Sequence, residues 1–157
     1  MNKILLFMLI LLLSACGAEE TVRTLEYPSP DQELFPVGAG LSLALAKDVF
    51  SGSPSLIETT IKNDSEQDYE YGDYYYIEVN KNGKWYTMTH SDAVFLNNPQ
   101  LNDFGHMLAA GSQVEQVFSI EMLDVTLILG KYRLVKTLLS QDEPFHEVSL
   151  AFPFTVK

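Results

Sequence analysis

The sequence predicts an all-β protein, an antiparallel sandwich of about seven strands behind an N-terminal leader. Three observations predict it. From residue 39 onward apolar residues recur with a period of two. Clusters of Gly, Pro, Asn, Asp and Ser punctuate that pattern at short intervals. A chain of 157 residues with 46% hydrophobic and 11% aromatic residues is long and apolar enough to build one core.

The leader comes first. Met1-Asn2-Lys3 is a short positive start, and Ile4 to Leu13 is an unbroken apolar run. As a helix that run would span about 15 Å, whereas a bilayer core needs about 20 residues. Its length and flanks match the apolar region of a secretory signal peptide. The run ends in Leu13-Ser14-Ala15-Cys16, which resembles the bacterial lipobox: an aliphatic residue, two small residues that fit a peptidase cleft, then a nucleophilic cysteine. The resemblance implies removal of residues 1–15 and a diacylglyceryl thioether on Cys16. Two acyl chains, at about 0.8 kcal/mol per buried CH₂, make a stable anchor. The expected location is therefore the extracytoplasmic face of the cell membrane. Cys16 is the only cysteine, which excludes an internal disulfide and a cysteine-rich zinc site.

Residues 16–38 read as the lipidated cysteine and an acidic tether. Glu19, Glu20, Glu26, Asp31 and Glu33 keep it solvated, and Pro28, Pro30 and Pro36 deny it regular hydrogen bonding. The domain is expected over 39–157. Leu41, Leu43 and Leu45 alternate with small or polar residues, Ser51-Gly52-Ser53-Pro54 breaks the chain, and Ile57, Thr59 and Ile61 alternate with Glu58 and Thr60. Asn63-Asp64-Ser65 makes a turn. Tyr75, Ile77 and Val79 form one face of the next strand, with Tyr74, Tyr76 and Glu78 opposite. Asn82-Gly83 is the strongest short hairpin signal and sends the chain back through Trp85-Tyr86-Thr87-Met88. Val114, Phe118 and Ile120 mark a fifth strand and residues 131–138 a sixth. Val148, Leu150, Phe152, Phe154 and Val156 share one face of the seventh, where Pro153 predicts a sheet edge.

Gly130-Lys131-Tyr132 entering a late strand is similar to the tyrosine corner of immunoglobulin-like sandwiches. Tyr76-Ile77-Glu78-Val79-Asn80-Lys81-Asn82-Gly83-Lys84-Trp85-Tyr86, followed by Gly130-Lys131-Tyr132-Arg133-Leu134-Val135-Lys136, resembles the bacterial Ig-like domain family of Firmicutes lipoproteins, in which the same hairpin and strand occur in that order. The resemblance covers about residues 40–140. It departs at Leu129, where members of that family often carry proline. It implies an immunoglobulin-like fold and surface exposure, and supplies no catalytic residues.

With 21 acidic and 10 basic side chains the net charge is −11. This argues against nucleic acid as a partner and against electrostatic docking on anionic lipid. Asp64, Glu66, Asp68, Glu70 and Asp73 are the densest acidic cluster, but Tyr69 and Tyr75 stand where an EF-hand loop needs glycine and glutamate, so the cluster reads as a solvated loop. His90, His106 and His146 lack metal-ligand spacing, and no nucleophile elbow, Walker loop or dinucleotide fingerprint occurs. No cofactor, metal or catalysis is expected. Tyr74, Tyr76, Trp85 and Tyr86 are the candidate binding surface, able to stack on sugar rings or anchor a protein. The expected partners are the membrane, through the lipid, and an envelope protein or polysaccharide. The alternative is a protease inhibitor that presents Asp92–Asp103 as its reactive loop.

Overall fold

Strands that bury one face must find a second sheet to cover it. The computed structural model, which describes residues 22–91 and 93–157, shows how they do so. The first sheet runs β1 (Val37–Gly38), β2 (Leu41–Leu45), β4 (Leu56–Asn63) and β9 (Gln113–Ser119), all antiparallel. The second is centred on β10 (Gly130–Ser140), which pairs along one side with β11 (Glu147–Val156). Its other side is shared by β6 (Tyr76–Lys81) and β5 (Tyr69–Tyr71). Then β7 (Lys84–Thr87) extends β6, β8 (His106–Leu108) extends β5, and β3 (Val49–Phe50) joins β11 in parallel. A short helix α1 (Ala93–Asn97) and a 3₁₀ turn (Glu121–Leu123) complete the described elements.

The seven expected strands are β2, β4, β6, β7, β9, β10 and β11. Four more strands of two or three residues join them among the described residues. Leu41, Leu43, Ile57 and Ile61 face Ile77, Leu134, Leu138, Leu150 and Phe154 across the core, all essentially inaccessible. Each such side chain contributes about 1.5–3 kcal/mol by leaving water. Tyr75, just ahead of β6, meets Phe118 of the first sheet at 4.5 Å between ring centroids. The tyrosine corner is formed: Tyr132 Oη donates to the Ile128 carbonyl at 2.8 Å, and its ring stacks on Phe154. At Pro153 β11 has no partner on its outer side. The flanking Ala151 and Thr155 N–H groups donate to Phe35 and Asp48, and proline has no N–H to leave unpaired.

The tether expected over 16–38 is corrected from Val22 onward, because that stretch is laid on the domain. Thr24 bridges Met88, Leu25 N–H donates to Thr87 and Ser29 N–H to Trp85, so the segment runs antiparallel along the free edge of β7. It then crosses the outer face of the second sheet and reaches β11, where the Phe35 carbonyl receives the Ala151 N–H. Prolines prevent a regular strand here but not a strap. A sheet edge and side-chain donors satisfy its carbonyls without a ladder. Residues 1–21, including Cys16 and the apolar run, lie outside the described residues.

Candidate ligand-binding face

Register decides which side chains reach the outer face of the second sheet. Tyr76 pairs with Val135, Glu78 with Arg133 and Thr87, and Asn80 with Trp85, so these share the outer face, away from the core. Val79 pairs with Tyr86, which turns inward and packs against the core. Adjacent strand residues must point to opposite faces. Trp85 and Tyr86 therefore cannot belong to one surface, and the four candidate aromatics divide.

The outer face has a covered half and an open half. Under the strap, Arg133 and Glu78 form an ion pair with 2% and 1% of their surface exposed. The Arg133 guanidinium donates to the backbone carbonyls of Gln32 at 3.1 Å and Asp31 at 2.6 Å, and stacks over the Trp85 ring at 4.7 Å. The Gln32 side chain accepts from Trp85 N–H at 2.9 Å and donates to the Trp85 carbonyl at 3.1 Å. Trp85 is thus committed to holding the chain's own N-terminal segment. The signal for this was present in the sequence as a lone arginine at an outward position of a central strand, opposite a glutamate.

The open half carries the other aromatics. Tyr76 and Tyr74 lie 6.4 Å apart by ring centroid, Tyr74 and Phe95 5.9 Å, and Phe95 and His90 5.2 Å. Phe95 and His90 were missed as partners because α1 delivers Phe95 from a distant segment, anchored by buried Val94. Beside Tyr74, a hollow of about 180 Å³ is lined by Asp103, Phe104, Thr137 and Glu147. Burial pushes the Tyr74 phenol above its ordinary pKa, and the Asp103 carboxylate adds to this. Burial likewise raises Tyr76 to about 12; the Glu78 carboxylate adds to the rise and the Arg133 guanidinium opposes it. Both phenols stay neutral donors at any physiological pH.

On the inner face lies a feature that no motif announced. Lys136, wholly inaccessible between Leu134 and Leu138, donates from Nζ to the carbonyls of Gly72 and Tyr74, the latter at 2.7 Å. These carbonyls come from the break between β5 and β6. Gln116 Nε2 donates to the same Gly72 carbonyl at 3.1 Å, while Gln116 Oε1 is buried with no partner. A Cβ on Gly72 would come within 2.2 Å of the Asn102 carbonyl oxygen, so only glycine fits there. Desolvation lowers the Lys136 pKa to about 8, against the raising influence of Asp73 and Asp103. A cleft of about 380 Å³ opens beside β9, lined among others by Tyr71, Asp73, Tyr75, His106 and Glu115.

Among the described residues no group of three or more His, Cys, Asp or Glu is placed to hold a metal ion. In the acidic cluster, Asp64 pairs with Lys62 at 2.7 Å and Asp68 accepts from Ala110 N–H at 2.8 Å. The Ala93–Asp103 stretch forms α1 and a turn whose Asn102 carbonyl receives Tyr74 N–H, and not an extended loop. No helix among the described residues is long and apolar enough to cross a membrane.

Two packed antiparallel sheets, a tyrosine corner and β3 running parallel to β11 define an immunoglobulin-like sandwich. The chain belongs to the bacterial Ig-like domain family, whose model matches residues 38–154. No curated protein matches the chain.

Proposed function

We propose that this chain is an exported lipoprotein, held by a diacylglyceryl group on Cys16, that displays its bacterial Ig-like domain as a non-catalytic binding module outside the cytoplasm. The leader, the lipobox-like Leu13-Ser14-Ala15-Cys16 and the absence of competing cysteines support the anchor. The observation that carries the binding role is the open tier of Tyr76, Tyr74 and Phe95, flanked at Tyr74 by the carboxylates of Asp103 and Glu147. Aromatic faces stack on the apolar faces of sugar rings, and neighbouring carboxylates accept hydrogen bonds from hydroxyls. An envelope polysaccharide is the ligand this combination suits.

Radiolabelled palmitate should enter the expressed protein and be lost in Cys16→Ala. Label persisting in that variant would remove the anchor from the proposal. Cosedimentation with purified envelope polysaccharide should weaken about tenfold in Tyr74→Ala/Phe95→Ala, the size expected for two aromatic contacts. Undiminished binding by that variant, with an unchanged circular dichroism spectrum, would remove the ligand face.

A further inference from the structure

Backbone donors and acceptors are left open wherever a sheet ends, and native folds blunt such edges. Among the described residues this fold blunts all but one. Strands β1, β3 and β8 are two or three residues long. The strap runs along β7, and beyond β3 the outer side of β11 donates to Phe35. The exception is β9, the last strand of the first sheet, which runs seven residues with no proline, glycine or lysine. Its pairing with β4 fixes which of its groups are open. Asn63 N–H donates to the Ser112 carbonyl and Ile120 N–H to the Ser55 carbonyl, at the two ends of the ladder. Because backbone direction alternates along a strand, Val114, Gln116 and Phe118 turn their backbone groups to β4. Gln113, Glu115, Val117 and Ser119 turn theirs away. Tyr75 Oη donates to the Ser119 carbonyl. Among the described residues, nothing bonds the edge-facing groups of Gln113, Glu115 and Val117.

The cleft beside β9 follows this edge. Across it stand Tyr71, Asp73, Leu101 and His106, while Val114 and Phe118 line its β9 side. We infer that the edge is a docking site for an extended segment of a partner protein with alternating basic and apolar side chains. The segment joins β9 as an antiparallel strand, the orientation of every other pair in that sheet. Its side chains opposite Val114, Gln116 and Phe118 enter the cleft, where Leu101 and Phe118 suit apolar groups. Those opposite Glu115 and Val117 share the outer face with them. Charge sets the class there. Glu115 is exposed near the middle of the edge, and Glu58 is its diagonal neighbour on β4. Asp73 lies across the cleft, and Glu121 follows β9 in the chain. Lys62, opposite Gln113, is held by Asp64, and Lys136 is spent on the Gly72 and Tyr74 carbonyls. A basic segment therefore matches the edge. A second copy, with its own Glu115 and net charge of −11, does not.

The test uses the full-length protein in micelles of neutral detergent and a blocked heptapeptide alternating Lys and Val. Labelled peptide should bind saturably, and amide exchange at Glu115 and Val117 should slow at least about tenfold. Glu115→Lys should weaken binding about tenfold, since it exchanges an attractive cross-strand pair for a repulsive one. Val117→Pro removes one edge-facing N–H and leaves the β4 ladder whole, so it should abolish binding. N-methylating the peptide at its lysines, whose N–H groups face β9 in this register, should do the same with the protein unaltered. Methylation at its valines should be tolerated. Binding that survives lysine methylation, or no saturable binding at millimolar peptide, would overturn strand addition. Equal binding of a peptide alternating Glu and Val would overturn the basic partner. A concentration-dependent dimer of the unsubstituted protein that Val117→Pro dissolves would give the edge to a second copy, and would overturn the partner as well.

Discussion

Two cations stand three residues apart on β10 and are buried on opposite faces of the same sheet, yet they are treated differently. Arg133, outward, meets the Glu78 carboxylate, two strap carbonyls and the face of Trp85. Lys136, inward, meets two backbone carbonyls and lies 5.8 Å from the centre of the Phe118 ring, with no carboxylate in hydrogen-bond contact. A guanidinium keeps its charge in any environment, so its burial requires a counter-charge. An ammonium can give up its proton, and Lys136 is displaced toward doing so, with a pKa near 8. One site is a permanent clasp on the N-terminal strap. The other braces the break between β5 and β6 at a desolvation cost that loss of its proton relieves.

The sharpest way to break this contrast is to remove the carboxylate. Glu78→Ala leaves a guanidinium buried without its counter-charge, and should cost about 3–5 kcal/mol in urea unfolding. Hydrogen exchange at the Leu25 and Ser29 amides should accelerate more than at the β10 core, because the strap loses its pin. A strap that stayed protected would show that Arg133 does not hold it.

The second prediction concerns pH. The unfolded lysine titrates near 10.5 and the folded one near 8, so between those values the unfolded state binds more protons. Stability should therefore rise with pH from about 8 upward, and the penalty should be fully present below that. Over pH 7 to 9.5 the rise is on the order of 2 kcal/mol. Above about 10 the raised phenols of Tyr75 and Tyr76 act in the opposite sense, since the unfolded tyrosines ionise first. Denaturant midpoints for Lys136→Met should be flat from pH 7 to 9.5. A wild-type midpoint equally flat in that range would contradict the assignment.

How far such features can be read from sequence depends on the distance over which they are encoded. Alternation in Leu41 to Leu45, Ile57 to Ile61 and Val148 to Val156 is local, and so are Asn82-Gly83 and the tyrosine corner; each specifies a strand, a turn or a face without knowledge of the rest. Residues 131–138 read only as a strand, without a face for Lys136; the structure places it inward between Leu134 and Leu138, on carbonyl partners more than 60 residues away. The strap was hidden for a different reason. Prolines and carboxylates at 26–36 correctly forbid a regular strand, yet they do not forbid docking on an edge where the Thr87 and Trp85 carbonyls of β7 accept the strap's N–H groups and Arg133 donates to its carbonyls. Strands β1, β3, β5 and β8 are too short for any period to register, and exist because a neighbour presents a free edge. The candidate surface divided for a local reason, because consecutive Trp85 and Tyr86 must face opposite ways.

The smallest effect sharpens the distinction between an aromatic that holds the fold and one free to meet a ligand. Trp85 lies under Arg133, so Trp85→Leu removes a stacked ring while keeping an apolar side chain. It should cost about 1 kcal/mol through the lost cation–π contact. The same change should leave the pH dependence attributed to Lys136 untouched, because the two cations occupy opposite faces. Binding of polysaccharide should also survive it, since Trp85 contributes to the covered half and Tyr74 to the open one. If Trp85→Leu instead abolished binding with little change in unfolding midpoint, the covered half would be the recognition surface, and the strap would have to move aside for the ligand.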